Sequence, residues 1–165
     1  MYHHPQPFTP DGENAHLQRG DVVLFRFPLA EEDDQPGAPK RRPCLVLDTL
    51  TAGDDRFVEI AYGTSADTRA NRGYEVIVKQ SAARETAGLS KPTRFVCARR
   101  IIVHVNHGGF HDRSKGPQII GRLDDALLER MNAVRARIQA EADIAAYYRE
   151  EQRREEQARE DRGFQ

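Results

Sequence analysis

"KRRPCLVLDTL", residues 40–50, sets three cations and a proline directly before an apolar run. A short, continuous apolar run bounded by turn signals is typical of a strand that is buried on both faces. The sequence therefore predicts a central strand over residues 43–48. Lys40, Arg41 and Arg42 then stand at the end of a buried strand, where they form either a solvated turn or a site for a phosphate group.

The stretches on either side of this run predict an antiparallel, mainly β fold. Runs rich in β-branched and aromatic residues predict further strands at "DVVLFRF" (21–27), "RFVEIAYG" (56–63), "YEVIVK" (74–79) and, bent, at residues 94–105. The period then becomes helical over an apolar stripe of Leu123, Leu127, Leu128, Met131, Val134 and Ile138, with Asp124 and Asp125 in the first turn. Short strands followed by one amphipathic helix predict a small, partly open barrel or curled sheet with the helix covering one face.

The two ends of the chain and one loop differ from this pattern. Residues 1–18 are expected to form a loose tail, because they contain prolines and a glycine and lack periodicity. The stretch "PLAEEDDQPGAPK" (28–40) is expected to form a long acidic loop, because prolines and glycine interrupt it and it has four acids. One domain is expected over residues 19–140, followed by a charged tail over 141–165. Beyond Tyr148 the text "REEQRREEQAREDR" favours a solvated or frayed tail that the domain does not need, with extension of the helix through i,i+4 charge pairs as the alternative.

Composition limits the class of protein. The chain has 165 residues, 31% of them charged, and a net charge of −1, which argues against coating nucleic acid by bulk charge but allows a local basic site. Cys44 and Cys97 lie in apolar runs and are expected to be reduced core cysteines, as in a cytoplasmic protein. The N-terminus lacks a signal-peptide pattern, and no apolar run reaches membrane-spanning length, so no membrane partner is expected.

Five fragments carry a family resemblance: "RGDVVLFRF", "KRRPCLVLD", "IAYGTS", "GLSKPTRFVCARRIIV" and "GRLDDALLERM". In this order they resemble the PemK/MazF toxins of type II toxin–antitoxin systems over residues 19–140. The resemblance implies an SH3-like β-barrel that forms homodimers, with the last helix as a contributor to dimer contacts. It also implies an mRNA interferase, which cuts single-stranded RNA without a metal or other cofactor and leaves a 2′,3′-cyclic phosphate and a free 5′-hydroxyl. An antitoxin peptide that wraps the dimer and blocks the RNA groove is the implied partner.

The resemblance also assigns site residues. It gives the catalytic roles to Arg42, directly before Pro43, and to Thr64, with Ser65 beside it, and it matches an opening motif to residues 19–21. Elementary chemistry agrees with this pair. A planar guanidinium matches two phosphate oxygens, and a threonine hydroxyl can donate a hydrogen bond to one of them.

Other charged residues are expected around this pair. Lys40 and Arg41 are expected to contact the RNA backbone outside the reacting phosphate. Arg69 and Arg72 either extend the same track or are solvated loop charges. Arginine is a poor base, so the general base stays open, with a carboxylate in residues 31–34 as a candidate.

Three alternatives stay open. His104, His107 and His111 with Asp112 offer zinc ligands, although polar loop histidines are the simpler interpretation because no helical face aligns them. A non-catalytic barrel toxin that resembles CcdB and binds DNA gyrase is the competing function. The absence of tryptophan from the chain counts against it, because CcdB depends on a tryptophan near its C-terminus. An inactive family member that serves as a binding module is a third possibility.

Overall fold

The computed structural model describes residues 17–28, 40–110 and 117–164. Its elements are β1 (Asp21–Phe25), β2 (Arg42–Ala52), β3 (Asp55–Thr64), β4 (Glu75–Val78), α1 (Ser81–Ala87), β5 (Thr93–His104), β6 (Ile119–Arg122) and α2 (Asp125–Gly163). The predicted fold class, mainly β with a C-terminal helix, is confirmed. The five predicted strands are present with shifted ends, and β2 is longer than expected.

The strands form one open, antiparallel sheet in the order β4-β5-β3-β2-β1-β6. The long β2–β3 hairpin turns at Gly53, whose φ of 62° suits a residue without a side chain. The pairing of β3 with β5 shifts register between Ala61 and Tyr62. Such an irregularity bends a strand, and the predicted bend in β5 lies there.

Both faces of the sheet are buried, which explains the continuous apolar run in β2. Cys44 and Val46 belong to one core cluster, whereas Leu45 and Leu47 belong to the other. The first cluster includes Phe25 and aromatic residues of the curled sheet. The second cluster lies under the two helices and is completed by Leu123, Met131, Val134 and Ala87. The apolar stripe of the C-terminal helix thus packs against the sheet, as expected.

Two short elements, α1 and β6, were not predicted from the sequence. The helix α1 ends at Gly88, which has a φ of 70° and donates its backbone N–H to the carbonyls of Arg84 and Glu85. A Cβ at Gly88 would overlap the carbonyl oxygen of Ile120 in β6. The two short elements therefore lie in close contact, and this contact brings the loop after α1 to the end of the sheet.

The opening Arg19-Gly20-Asp21 motif has a structural role, because it joins neighbouring strands by hydrogen bonds. Asp21 is buried, and its carboxylate accepts hydrogen bonds from the backbone N–H of Gln18 at 2.7 Å and from the Arg122 guanidinium at 3.0 Å. Gly20 donates its backbone N–H to the Val46 carbonyl at 2.9 Å. These bonds hold the first strand to β6 and β2, which accounts for the motif without any contact to a ligand.

The charged end of the chain is a continuation of α2, so the tail is solvated, as favoured, but it is helical and not frayed. Asp124 caps the helix by accepting from the Leu127 N–H at 2.8 Å, and the helix then runs to Gly163. Nucleation is the costly step in helix formation, and the packed first half of α2 supplies it. The later residues are good helix formers and include ion pairs such as Arg153–Glu150 at 2.6 Å.

Removal of residues 149–165 should leave the stability of the domain almost unchanged. The side chains of residues 139–164 are exposed, apart from the partly buried Glu150. Among the described residues, the last hydrogen bond from α2 to the sheet region joins Glu141 to Tyr74 at 2.6 Å. Surface pairs of this kind contribute within about 0.5 kcal/mol, so Tm should move by less than about 2 °C. Thermal unfolding followed by circular dichroism checks this, and a drop of about 5 °C or more would show that the tail stabilises the domain.

Candidate active site

The open end of the β2–β3 hairpin brings Arg42 and Thr64 together. Arg42 begins β2 and Thr64 ends β3. Cys44 pairs with Tyr62, and the same antiparallel register continued by two residues sets Arg42 opposite Thr64. Side chains that lie opposite each other in a sheet point to the same face. The two predicted catalytic side chains therefore approach one space.

That space is a cavity of about 420 Å³ at the end of the sheet. Five of the predicted site residues line it: Lys40, Arg41, Arg42, Thr64 and Ser65. The rest of its wall is formed by Leu24, Pro43, Gly63, Gly88, Leu89, Ser90, Lys91, Thr93 and Ile120. The described part of this wall holds cations and hydroxyls but no carboxylate, which is a surface suited to an anion.

Residues 18–140 match the sequence model of the family described as PemK-like, MazF-like toxins of type II toxin-antitoxin systems. The chain belongs to this family. Membership of the PemK/MazF family brings an antitoxin as a partner. No curated protein matches the sequence. Over the residues that the structure describes, no helix is both long and apolar enough to cross a membrane.

In this PemK/MazF-family chain, the guanidinium of Arg42 lies against an aromatic side chain. Its Cζ is 5.8 Å from the ring centroid of Tyr62, which is buried and packs against Phe27. The Arg99 guanidinium lies 5.0 Å from the same centroid. At these distances the face of the ring attracts both guanidinium groups. Arg99 was not predicted as a site residue; it lies in the stretch of β5 where the pairing with β3 shifts register, and it does not line the cavity.

Thr64 has a local hydrogen bond that orients its hydroxyl. Its Oγ1 accepts from the backbone N–H of Ala66 at 3.1 Å, which forms a turn at the end of β3. A hydroxyl has one proton and two lone pairs, so this bond leaves the proton of Thr64 for a ligand in the cavity. Thr64 is therefore a turn residue whose hydroxyl proton is not used by that turn.

An ion-pair cluster holds the segment that follows this turn. Arg94 pairs with Thr64 across the sheet, and its guanidinium contacts the buried Glu75 at 2.9 Å and also Asp67. The cluster thus ties the segment after Thr64 to β4. Because Glu75 is buried, the pair with Arg94 is screened less than a surface pair.

Lys91 is the cation of this site that the sequence interpretation missed. It lies in the loop between α1 and β5, and it is exposed on the cavity wall. Hydrogen bonds hold the loop: Thr93 Oγ1 donates to the Lys91 carbonyl, and Arg84 donates to the Ser90 carbonyl, each at 3.0 Å. The only signal in the sequence was its place in the fragment "GLSKPTRF".

The remaining predicted residues do not line the cavity or lie outside the described residues. Arg69 and Arg72 are exposed in a turn, where the Arg72 N–H donates to the Arg69 carbonyl at 3.3 Å, and they do not line this cavity. Their contact with RNA stays a prediction. The candidate base in residues 31–34 lies outside the described residues.

The two cysteines are free and buried, as expected. Burial is the main cause that raises the pKa of the Cys44 thiol to about 12 and that of Cys97 to about 11. A thiol with such a pKa is protonated at neutral pH and is a poor nucleophile. Neither cysteine lines the cavity, so the site has no cysteine chemistry in the described residues.

The histidines near the end of β5 stabilise local turns. His104 Nδ1 accepts from the Asn106 N–H at 3.0 Å, and His107 Nδ1 accepts from the Gly109 N–H at 2.9 Å. His104 Nε2 lies 3.2 Å from Asp55. His111 and Asp112 fall outside the described residues, and within those residues no group of three His, Cys, Asp or Glu side chains could hold a metal.

Proposed function

We propose that this chain is a metal-independent endoribonuclease that cuts single-stranded RNA, the toxin activity of its toxin–antitoxin pair. The observation that carries the proposal is the placement of Arg42 and Thr64 opposite each other, at a cavity whose described lining adds three lysine or arginine side chains and no carboxylate. Such a wall fits the phosphodiester backbone of a nucleic acid. The hydroxyl of Thr64 and the fork of Arg42 suit one phosphate group.

The proposed reaction uses the nucleophile of the substrate. The 2′-oxygen of the RNA attacks the adjacent phosphorus, the bond from phosphorus to the 5′-oxygen breaks, and a 2′,3′-cyclic phosphate and a 5′-hydroxyl result. Arg42 stabilises the negative charge that grows on the phosphoryl oxygens, and Thr64 donates to one of them. In the proposed reaction, Arg42 also protonates the leaving 5′-oxygen.

The proton of the 2′-hydroxyl needs an acceptor. No Asp, Glu or His side chain of the described residues lines the cavity. Solvent and the carboxylates of residues 31–34 are therefore the acceptors to test. Replacement of all four acids of that segment by their amides would separate the two, because only a base within the segment would be lost.

We also propose a homodimer whose groove is blocked by an acidic segment of the antitoxin. Lys40, Arg41 and Lys91 give the cavity a positive wall that would attract such a segment. Exposed apolar side chains on β5 and β2, including Ile102 and Leu50, offer surface for association. Light scattering of the purified protein tests the dimer, and a monomer at micromolar concentration would exclude it.

Cleavage of RNA should continue unchanged in EDTA. The described lining of the cavity offers no carboxylate to hold Mg²⁺, which prefers oxygen ligands. A long unstructured RNA incubated with the purified protein should give discrete fragments that end in cyclic phosphate, and DNA of the same sequence should stay intact because it lacks the 2′-hydroxyl. Absence of RNA fragments from a folded protein would favour a binding module. Activity that is lost in EDTA and restored by zinc would revive the histidine site.

A further inference from the structure

A second cavity adjoins the candidate active site. Its volume is about 370 Å³, which is within the range of small-ligand pockets. Ser65, Lys91 and Thr93 line both cavities and so form a shared wall. A chain-like ligand that occupies the first cavity therefore meets the second one across these three side chains.

Two lysines of the second cavity have no ion-pair partner among the described residues. Lys79 and Lys91 are exposed on its wall, and among the described residues neither has a salt-bridge partner. Arg94 and Asp67 also line the cavity, but they form an ion pair with each other, and Arg94 contacts Glu75 as well. The positive charge available to a ligand thus comes from the two lysines.

Lys79 has a simpler interpretation that has to be weighed. It follows directly after β4, an edge strand of the sheet, and lysines beside edge strands discourage pairing with other chains. That role requires only that the side chain be exposed. It does not explain why Lys79 and Lys91, which come from different loops, line the same cavity next to a candidate phosphate site.

The cavity also has apolar surface. Ile77 is 42% exposed, and the exposed Pro92 lies on the same wall. Cations beside apolar side chains match the two parts of a nucleotide, a charged phosphate and a flat base with an apolar face. An inorganic anion would make no use of the apolar part.

We propose that this second cavity binds the nucleotide that adjoins the reacting phosphate in single-stranded RNA. Lys79 contacts the phosphate of that nucleotide, Lys91 lies between the two phosphates, and Ile77 and Pro92 pack against the base. The inference rests on the proposed function for the identity of the ligand as RNA and for the direction of its strand.

The test uses binding without cleavage. A mixed-sequence, fluorescently labelled DNA hexamer, which lacks the attacking 2′-hydroxyl, is titrated with the full-length protein at several salt concentrations, and anisotropy is measured. Lys79→Met should weaken binding about fivefold at low salt and should lower the slope of log affinity against log salt by about 0.7, the value for one lost phosphate contact on a single strand. Lys79→Arg should restore both values.

Two controls make the result specific. Arg159→Met removes one positive charge from the exposed end of α2 and should bind like the wild type. A labelled dinucleotide has one internal phosphate, so Lys79→Met should bind it as the wild type does. Equal loss in Lys79→Met and Arg159→Met, or no loss in either, would overturn the second cavity as a nucleotide site.

The binding test can fail or succeed independently of the cleavage test of the proposed function. A wild-type protein that binds the hexamer through Lys79 but leaves RNA intact would keep the second cavity and reject the nuclease. A wild-type protein that cleaves RNA, with an unaffected Lys79→Met variant, would keep the nuclease and reject the second cavity.

Discussion

Arg42→Ala should lower the rate of RNA cleavage by about 100-fold or more in a protein that keeps its fold. The side chain begins β2 opposite Thr64 and lines the cavity. A guanidinium held in place before the reaction stabilises the charge of the transition state without reorganisation, and alanine has no group that does so. Single-turnover cleavage at saturating enzyme isolates this step from binding.

The neighbouring Arg41 supplies the matched control. It lines the same cavity and carries the same charge, but its proposed role is an outer contact to the backbone. Arg41→Ala should therefore weaken RNA binding and leave the single-turnover rate within a few-fold of the wild type. Arg42→Lys keeps the charge and loses the planar fork, so a rate between those of wild type and Arg42→Ala is expected.

Circular dichroism and Tm show whether each variant folds, since Arg42 also packs near the Tyr62 ring. A folded Arg42→Ala protein with near wild-type cleavage would remove Arg42 from the site. Equal losses of rate in Arg41→Ala and Arg42→Ala would instead assign the effect to the charge of the whole cluster.

Thr64→Val should lower the cleavage rate on the order of 100-fold, with a much smaller effect for Ser65→Ala. Valine keeps the branched shape and deletes the hydroxyl that would donate to a phosphoryl oxygen. It also deletes the acceptor of the Ala66 N–H bond. Thr64→Ser retains both hydrogen bonds and should cleave within a few-fold of the wild type.

Ser65 is the control for this prediction because it lines the same cavity one residue further along the chain. Single-turnover rates of the three variants, with Tm as a check on folding, decide between the two hydroxyls. A larger loss in Ser65→Ala than in Thr64→Val would transfer the donor role to Ser65.

Some residues of the site could be predicted from the sequence, and others could not. Arg42 and Thr64 came from short motifs, and their convergence follows from the hairpin, because its two outer ends must lie side by side. Lys91 is 49 positions from Arg42 along the chain. It reaches the same cavity because α1 ends against β6 and turns its following loop toward the site. The local sequence of residues 88–92 does not predict the contact between α1 and β6.

What the sequence by itself determined is the local structure with a strong hydrophobic period: five strands, a helix with one apolar stripe, and a central strand buried on both faces. Periodicity is a property of neighbouring residues, so it can be read without the fold. Only the tertiary structure decided the elements and sites that depend on distant partners. The strand β6 has four residues and exists through its pairing with β1, where Arg122 meets the buried Asp21. The Arg94 cluster and the two adjoining cavities likewise join residues from separate elements. Their positions follow from strand order and register, which are settled when the two faces of the sheet are buried together.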